Sequence, residues 1–408
     1  MYLHRAIERE LAGYLRDFKV VLVTGPRQVG KTTMLQHTLG DAYEYVSLDD
    51  LDVLSRVRSD AGLFFRDHPL PLVLDEVQYA PELFVRIKHL VDQSEARGRV
   101  VLTASQTYSL MHGVSESLAG RVGVLQMGGL SLHEVSGSDR TRAFVPHVSE
   151  VPTVHSTSSG PAGARDPWPL IHHGCMPGLL DSSRDWRRFY ASYVSTYVER
   201  DVRDVIQVRD SARFYDFMVA CAARTAQLFN ASDIASLIGV DVTTVKSWIA
   251  VLEASGLITM LRPMWSNPEK RLAKTPKLYF MDTGLVCYLA GWPDDVTARR
   301  GAQAGHIFET FVVSEVLKSY LNAGEDPRNV MFYRDARKRE IDLVIRQGST
   351  LHPVEVKVAS NPTRDACVNF SALADLHGFT VGAGAVICQT DTPYSIEEGV
   401  RALSVWDI

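Results

Sequence analysis

Cysteine is scarce and scattered: Cys175, Cys221, Cys287, Cys367 and Cys388 are the five in 408 residues, and no two form a C-x-x-C pair. An odd count at wide spacing excludes a disulfide framework and a cysteine-rich zinc site. The five read as small buried hydrophobes in a reducing compartment. No run approaches the roughly 18 uninterrupted apolar residues of a membrane span. The first ten residues carry Arg5, Glu8, Arg9 and Glu10, too much charge for a signal-peptide core. A general basic excess is missing as well, since the net charge is -5. Histidines are dispersed, and His172-His173 has no partner at metal-ligand spacing. Gly382-Ala383-Gly384 lacks the further glycine of a dinucleotide fingerprint, because position 387 is isoleucine. What remains is expected to be a soluble, cytoplasmic chain with no membrane partner; it is 46% apolar and 22% charged, in the ordinary globular range and long enough for two or three domains.

Four segments divide it. Residues 1–144 alternate short apolar runs (Val20–Val23, Leu72–Leu74, Val100–Leu102) with helical patterns such as Phe84–Val91, which predicts a parallel sheet covered by helices on both faces. Residues 145–185 open on a Ser/Thr/Pro/Gly-rich stretch without apolar period and are expected to be a linker or insertion. Residues 186–277 read as helical, and 278–408 as a helix followed by short strands.

Gly25-Pro26-Arg27-Gln28-Val29-Gly30-Lys31-Thr32 fits G-x-x-x-x-G-K-[ST] at every fixed position, after an apolar run and before Thr33-Met34-Leu35, which opens a helix. Glycines let the backbone curl its N–H groups toward phosphate oxygens, and the helix N-terminus adds partial positive charge. Lys31 is expected on the β and γ phosphates of ATP and the Thr32 hydroxyl on Mg²⁺, with Thr33 completing the site. Pro71-Leu72-Val73-Leu74-Asp75-Glu76 then reads as a strand ending in two acids. Asp75 is expected to hold the Mg²⁺ and Glu76 to polarise the attacking water. A third strand ends in Ser105-Gln106, and Ser105 is placed to sense the γ-phosphate. Arg121 is either an arginine finger or a solvated arginine.

These residues resemble AAA-type P-loop ATPases of a widespread prokaryotic group whose members carry a C-terminal domain long labelled as of unknown function. The resemblance rests on the phosphate loop, on Leu74-Asp75-Glu76-Val77-Gln78 and on Glu116-Ser117-Leu118-Ala119-Gly120-Arg121. It continues in Tyr197–Val202, Lys277–Leu285 and Glu340–Val344, and so covers nearly the whole chain. Ala104 stands where glycine is usual, and Gly129 where proline is usual.

In 186–277, where 13 Lys and Arg stand against 9 Asp and Glu, Ala231–Ile238 and Val242–Ala254 flank a short turn at Gly239-Val240-Asp241. Ser232-Asp233 and Asp241 are expected as their caps. A short helix, a glycine turn and a longer helix, with Leu257–Leu261 as a wing strand, make a winged-helix pattern. Thr243, Thr244, Lys246, Ser247 and Trp248 are expected outward. Trp265 and the basic residues Arg262, Lys270, Arg271, Lys274 and Lys277 follow. Two readings stay open: docking of a nucleic-acid duplex, or a module used for protein packing.

In the last segment Glu309 lies on a helix and Asp342 on an alternating strand, while Glu355 and Lys357 share one face of the return strand. Two carboxylates on neighbouring strands suit Mg²⁺, with the lysine acting on water. Together these four resemble the PD-(D/E)XK nuclease core. That resemblance implies a restriction-endonuclease-like α/β domain with Glu309, Asp342, Glu355 and Lys357 as catalytic residues and Asp342 and Glu355 as metal ligands. A retired nuclease that keeps its acids as a surface pair remains the alternative, and an oligomer is left open.

Overall fold

Five short strands, β1 (Val20–Thr24), β2 (Glu44–Ser47), β3 (Leu72–Asp75), β4 (Val100–Ala104) and β5 (Val122–Gln126), pair in parallel in the order β2-β3-β4-β1-β5. The computed structural model describes residues 2–104, 117–138, 141–147, 166–181, 183–197, 211–264 and 275–408. Ser105, Gln106, Glu116, Trp265, Lys270, Arg271 and Lys274 lie outside the described residues, as does most of the Ser/Thr/Pro/Gly-rich stretch.

Strands β1, β3 and β4 are buried at every position, as helices on both faces require. Their period-two alternation divides them between two cores. Val20, Leu22, Leu72, Leu74, Val100 and Leu102 face one core, with residues of α3 (Leu51–Ser59), α4 (Ala61–Asp67) and α5 (Leu83–Asp92). Val21, Val23, Val73 and Val101 face the other, with residues of α1 (Glu8–Asp17) and α2 (Lys31–Leu39). From β1 the chain runs out to the edge strand β2 and returns through β3 and β4. It then passes beyond β1 to β5, so the strand order reverses beside β1. In open α/β sheets such a reversal opens a crevice at the carboxyl ends of the strands, and residues 25–30 lie there.

The next part contains α6 (Leu132–Ser136), α7 (Trp168–His173), α8 (Trp186–Tyr197), α9 (Ser211–Ala222), α10 (Ala231–Ile238) and α11 (Val242–Ala254). Here the structure departs from the expected linker. Residues 166–181 are folded, and Trp168, Ile171 and Met176 are buried in the larger core. α10 and α11 cross at 108°. Asn230, not Ser232-Asp233, caps α10, accepting from the Ser232 and Asp233 N–H groups at 3.0 and 3.3 Å. Trp248 also differs from expectation: it is buried against Phe214 and Phe217, while Thr243, Lys246 and Ser247 are exposed.

Strand β6 (Gln227–Leu228) pairs with β8 (Lys277–Phe280), which pairs with β7 (Ile258–Leu261), all antiparallel. The boundary expected after residue 277 therefore cuts a strand of this small sheet. Beyond it lie α12 (Thr283–Leu289), α13 (Asp295–Arg300) and α14 (Ala304–Asn322). α14 is buried around most of its circumference, as befits a core helix.

The C-terminal sheet comprises β9 (Val330–Arg334), β10 (Glu340–Gln347), β11 (Thr350–Val356), β12 (Thr380–Val381), β13 (Gly384–Cys388), β14 (Tyr394–Glu397) and β15 (Val400–Ser404). Its order is β14-β15-β13-β11-β10-β9, with β12 also on β11. β9, β10 and β11 form an antiparallel meander, and β11, β13 and β15 are parallel. The chain leaving β7 runs along the edge of this sheet: Pro263 bridges to Phe332, whose N–H donates to the Arg262 carbonyl at 3.2 Å. All five cysteines are buried and free. No single helix among the described residues is long and apolar enough to cross a membrane.

Candidate nucleotide site and C-terminal acid cluster

Residues 25–30 turn sharply between β1 and α2. Gly25 has φ 144°, and a Cβ placed there would meet the Met127 carbonyl oxygen at 2.0 Å. The Met127 N–H in turn donates to the Thr24 carbonyl at 2.8 Å, so the exit of β5 presses on the loop from the side. Gly30, at φ 91°, starts α2, and the first N–H groups of any helix look outside it for their acceptors. Lys31 is buried, and its ammonium donates to the Gly25 and Pro26 carbonyls at 2.9 Å each. A cradle that excludes any side chain at Gly25 and rings a buried ammonium suits the phosphates of a nucleotide.

One carboxylate gathers the donor set beside it. Asp75 Oδ2 accepts from the Thr32 hydroxyl at 2.9 Å and from the Tyr45 hydroxyl, and Oδ1 accepts from Thr103. Burial, then the bond to Asp75, raises the Tyr45 phenol above the ordinary tyrosine range, so it remains a donor. A hydroxyl and a carboxylate this close make an oxygen pair suited to Mg²⁺. Glu76 follows at φ 55°, a left-handed conformation rare for a side chain of its size. Its N–H donates to Thr103 Oγ1 at 3.2 Å, and its carboxylate accepts from Gln78. The sequence reading missed Tyr45 and Thr103. Thr103 was legible as the last hydroxyl before the polar end of β4, whereas Tyr45 is reached only through the pairing of β2 with β3.

Arg121 lies away from the phosphate loop of its own chain. It precedes β5 at the amino ends of the strands, where its carbonyl accepts from the Val20 N–H at 3.1 Å, while the phosphate loop leaves their carboxyl ends. Its guanidinium grips Asp92 at 2.6 and 2.9 Å. Within this chain it belongs to an ion pair remote from the loop.

In the C-terminal part the expected acids converge. Extending the β10–β11 register one step from Leu343↔Val354 sets Asp342 beside Glu355, and Asp342 Oδ2 accepts from the Val356 N–H at 3.0 Å. Lys357 Nζ lies 2.7 Å from Glu355 Oε1, so the two share a face as expected. Burial first, then the Asp342 charge, pushes the Glu309 carboxyl up to about 7 and that of Glu355 up to about 8. Lys277, expected among exposed phosphate contacts, is instead buried in this cluster. Its ammonium lies 2.6 Å from Glu340 Oε1, 3.1 Å from Glu309 Oε1 and 3.7 Å from Asp342 Oδ1. The Tyr279 hydroxyl also donates to Glu309, at 2.6 Å. Among the described residues no group of three or more His, Cys, Asp or Glu side chains is arranged to hold a metal ion.

Residues 17–136 match a family described as "AAA domain", residues 165–296 one described as "Domain of unknown function (DUF8612)", and residues 304–408 one described as "Domain of unknown function (DUF4143)". The N-terminal unit is a P-loop ATPase domain of the AAA type. Uncharacterized protein Rv2008c of Mycobacterium tuberculosis is 28% identical over 359 residues, 88% of this chain and 74% of that protein, and Uncharacterized protein Mb2031c of Mycobacterium bovis gives the same figures. Among solved structures, the Walker-type ATPase PABY2304 of Pyrococcus abyssi overlaps 69% of this chain and 94% of its own at 15% identity and a TM-score of 0.44. The Thermotoga maritima RuvB Holliday junction branch migration motor overlaps 62% and 88% at 14% identity and a TM-score of 0.26.

The ATPase domain is tied to both of its neighbours. Gly256, in the turn after α11, sits against Pro26, where an added Cβ would come 3.0 Å from the proline ring. Arg5 spans from the loop to the segment after β5. Its Nη1 donates to the Val29 carbonyl at 2.6 Å, its Nη2 to the Gly128 carbonyl at 2.9 Å, and its Nε to Glu134 Oε1 at 2.9 Å. From there α14 takes over: the Leu132 N–H donates to Glu315 Oε2 at 2.8 Å, and Lys318 bonds the Leu130 carbonyl at 3.0 Å and Glu315 at 2.7 Å. Arg5, Glu134, Glu315 and Lys318 are all at most 5% exposed.

Proposed function

We propose that this chain is a Mg²⁺-dependent ATP hydrolase that works as a switch, its nucleotide state being passed to the C-terminal domain through α14. The run of buried polar contacts from Val29 through Arg5, Glu134 and Leu132 to Glu315 and Lys318 carries this reading. A buried ion pair holds a fixed geometry at high cost when broken, so a shift of the loop is transmitted and not absorbed. Lys31 exchanges its carbonyl partners for the β and γ phosphates. Thr32 and Asp75 would hold Mg²⁺, which supplies neutralising charge on the phosphate oxygens. Glu76 orients the attacking water and accepts its proton. Phosphate release by purified protein, absent in Lys31→Ala, tests the hydrolase part.

For the middle part, the 108° crossing of α10 and α11 and the exposure of Thr243, Lys246 and Ser247 support a winged-helix module that docks on a nucleic-acid duplex. Protein packing claims the other side of the same module, because the chain after β7 runs along β9. Cleavage by the acid cluster is the competing reading for the C-terminal domain. The approach of Asp342, Glu355 and Lys357 favours it, and Lys277 stands against it.

A further inference from the structure

The C-terminal acid cluster draws one of its members from outside its own domain. Lys277 belongs to β8, in the small sheet of the middle part, and reaches the cluster beside β9, with its ammonium 5.6 Å from the centre of the Phe332 ring. Its side chain is 4% exposed. A lysine buried to that extent is stable only where carboxylates replace its lost water, and three of them do: Glu309, Glu340 and Asp342.

The oxygen atoms of the cluster can be followed singly. Glu309 Oε1 accepts from both Lys277 and Tyr279. Glu340 offers Oε1 to Lys277 and Oε2 to Arg334. Asp342 offers Oδ1 to Lys277 and Oδ2 to the Val356 N–H. Glu355 Oε1 is bonded to Lys357. A hard divalent cation needs several oxygens converging on one point, at about 2.0–2.6 Å. Here three carboxylates from two elements converge on a fixed ammonium, and a dication brought to the same point would meet a like charge in a poorly screened interior.

We propose that Lys277 is the resident cation of this cluster, taking the point where Glu309, Glu340 and Asp342 converge and committing Asp342 to itself, so that the C-terminal domain binds no divalent metal. The domain then keeps the outline of a phosphodiesterase site as a charge-balanced polar core and serves as a reader of the ATPase domain. The proposal is independent of ATP hydrolysis, and its failure would leave the P-loop site as described.

The test is Mn²⁺ binding to the full chain without nucleotide, followed by electron paramagnetic resonance. Wild type and Asp342→Asn should bind the same amount of Mn²⁺, with Glu355→Gln repeating the comparison. Lys277→Met should gain one further Mn²⁺ site, at least tenfold tighter than any in wild type, and adding Asp342→Asn should abolish it. Mn²⁺ should also raise the melting temperature of Lys277→Met by several degrees while leaving wild type unmoved, because a ligand that binds only the folded state stabilises it. A wild-type Mn²⁺ site that Asp342→Asn or Glu355→Gln removes would overturn the proposal, and so would a folded Lys277→Met that gains no site. Should Lys277→Met fail to fold, the wild-type comparison decides alone.

Discussion

Arg5 and Glu134, 129 residues apart, form an ion pair of 2.9 Å with side chains only 4% and 2% exposed. The same guanidinium holds the Val29 carbonyl inside the phosphate loop. One residue from the amino-terminal segment thus fixes both the loop and the start of α6.

Arg5→Ala should therefore do two things. Leaving Glu134 buried without its partner should cost about 3–5 kcal/mol of stability, measured by urea unfolding. Releasing Val29 should also weaken ATP binding in calorimetry run well below the melting point. Arg5→Lys should restore part of the stability and little of the loop, since an ammonium lacks the planar fork that reaches Val29, Gly128 and Glu134 together.

Glu76→Gln should bind ATP with near-normal affinity and release phosphate at least a hundredfold more slowly. The amide keeps the shape of the side chain but cannot accept a proton. Calorimetry and phosphate release on the same preparation check both halves.

Binding of duplex nucleic acid should weaken steeply with salt. Lys246→Ala should reduce the log–log slope by roughly one, as loss of one phosphate contact does. Lys277→Met, where folded, should leave the slope unchanged, because that ammonium is committed to Glu309, Glu340 and Asp342. Fluorescence anisotropy over a salt series separates the two variants.

Stability should fall as pH rises. Burial, then the Asp342 charge, pushes the Glu309 and Glu355 carboxyls up to about 7 and about 8 from an ordinary 4.5. The folded state therefore holds their protons more tightly than the unfolded one. Their contribution is complete below about 4.5 and is lost as pH climbs through 7 to 8. Glu355→Gln imitates the protonated form and should flatten the decline in melting temperature over that window.

Much of the ATPase domain was legible because its signals are local. The strand, glycine loop, helix and Asp75-Glu76 pair each occupy a few consecutive residues, and each appears where expected. Arg121 stayed open because the sequence does not say at which end of the sheet a residue falls, and only the pairing of β5 with β1 does. Trp248 misled because a helix with two apolar faces has no unique outside; Phe214 and Phe217 claim one of them. In the acid cluster, Asp342, Glu355 and Lys357 were readable from strand alternation within one hairpin. Lys277 was not, because its partners lie on α14 and β10, and the basic residues around it suggested a wing on phosphates. The buried path from Arg5 to Lys318 was likewise invisible, since its members are separated by as many as 188 residues.

The switch stands or falls on whether nucleotide at the P-loop reaches α14. Hydrogen–deuterium exchange of the full-length Glu76→Gln variant, with and without ATP and Mg²⁺, measures this directly. Exchange should change at residues 25–33 and also in the segment 130–134 and the helix 304–322, with both distant changes lost when Glu315→Gln is added. Changes confined to the nucleotide loop and its immediate neighbours, with 304–322 exchanging identically in both states, would contradict it.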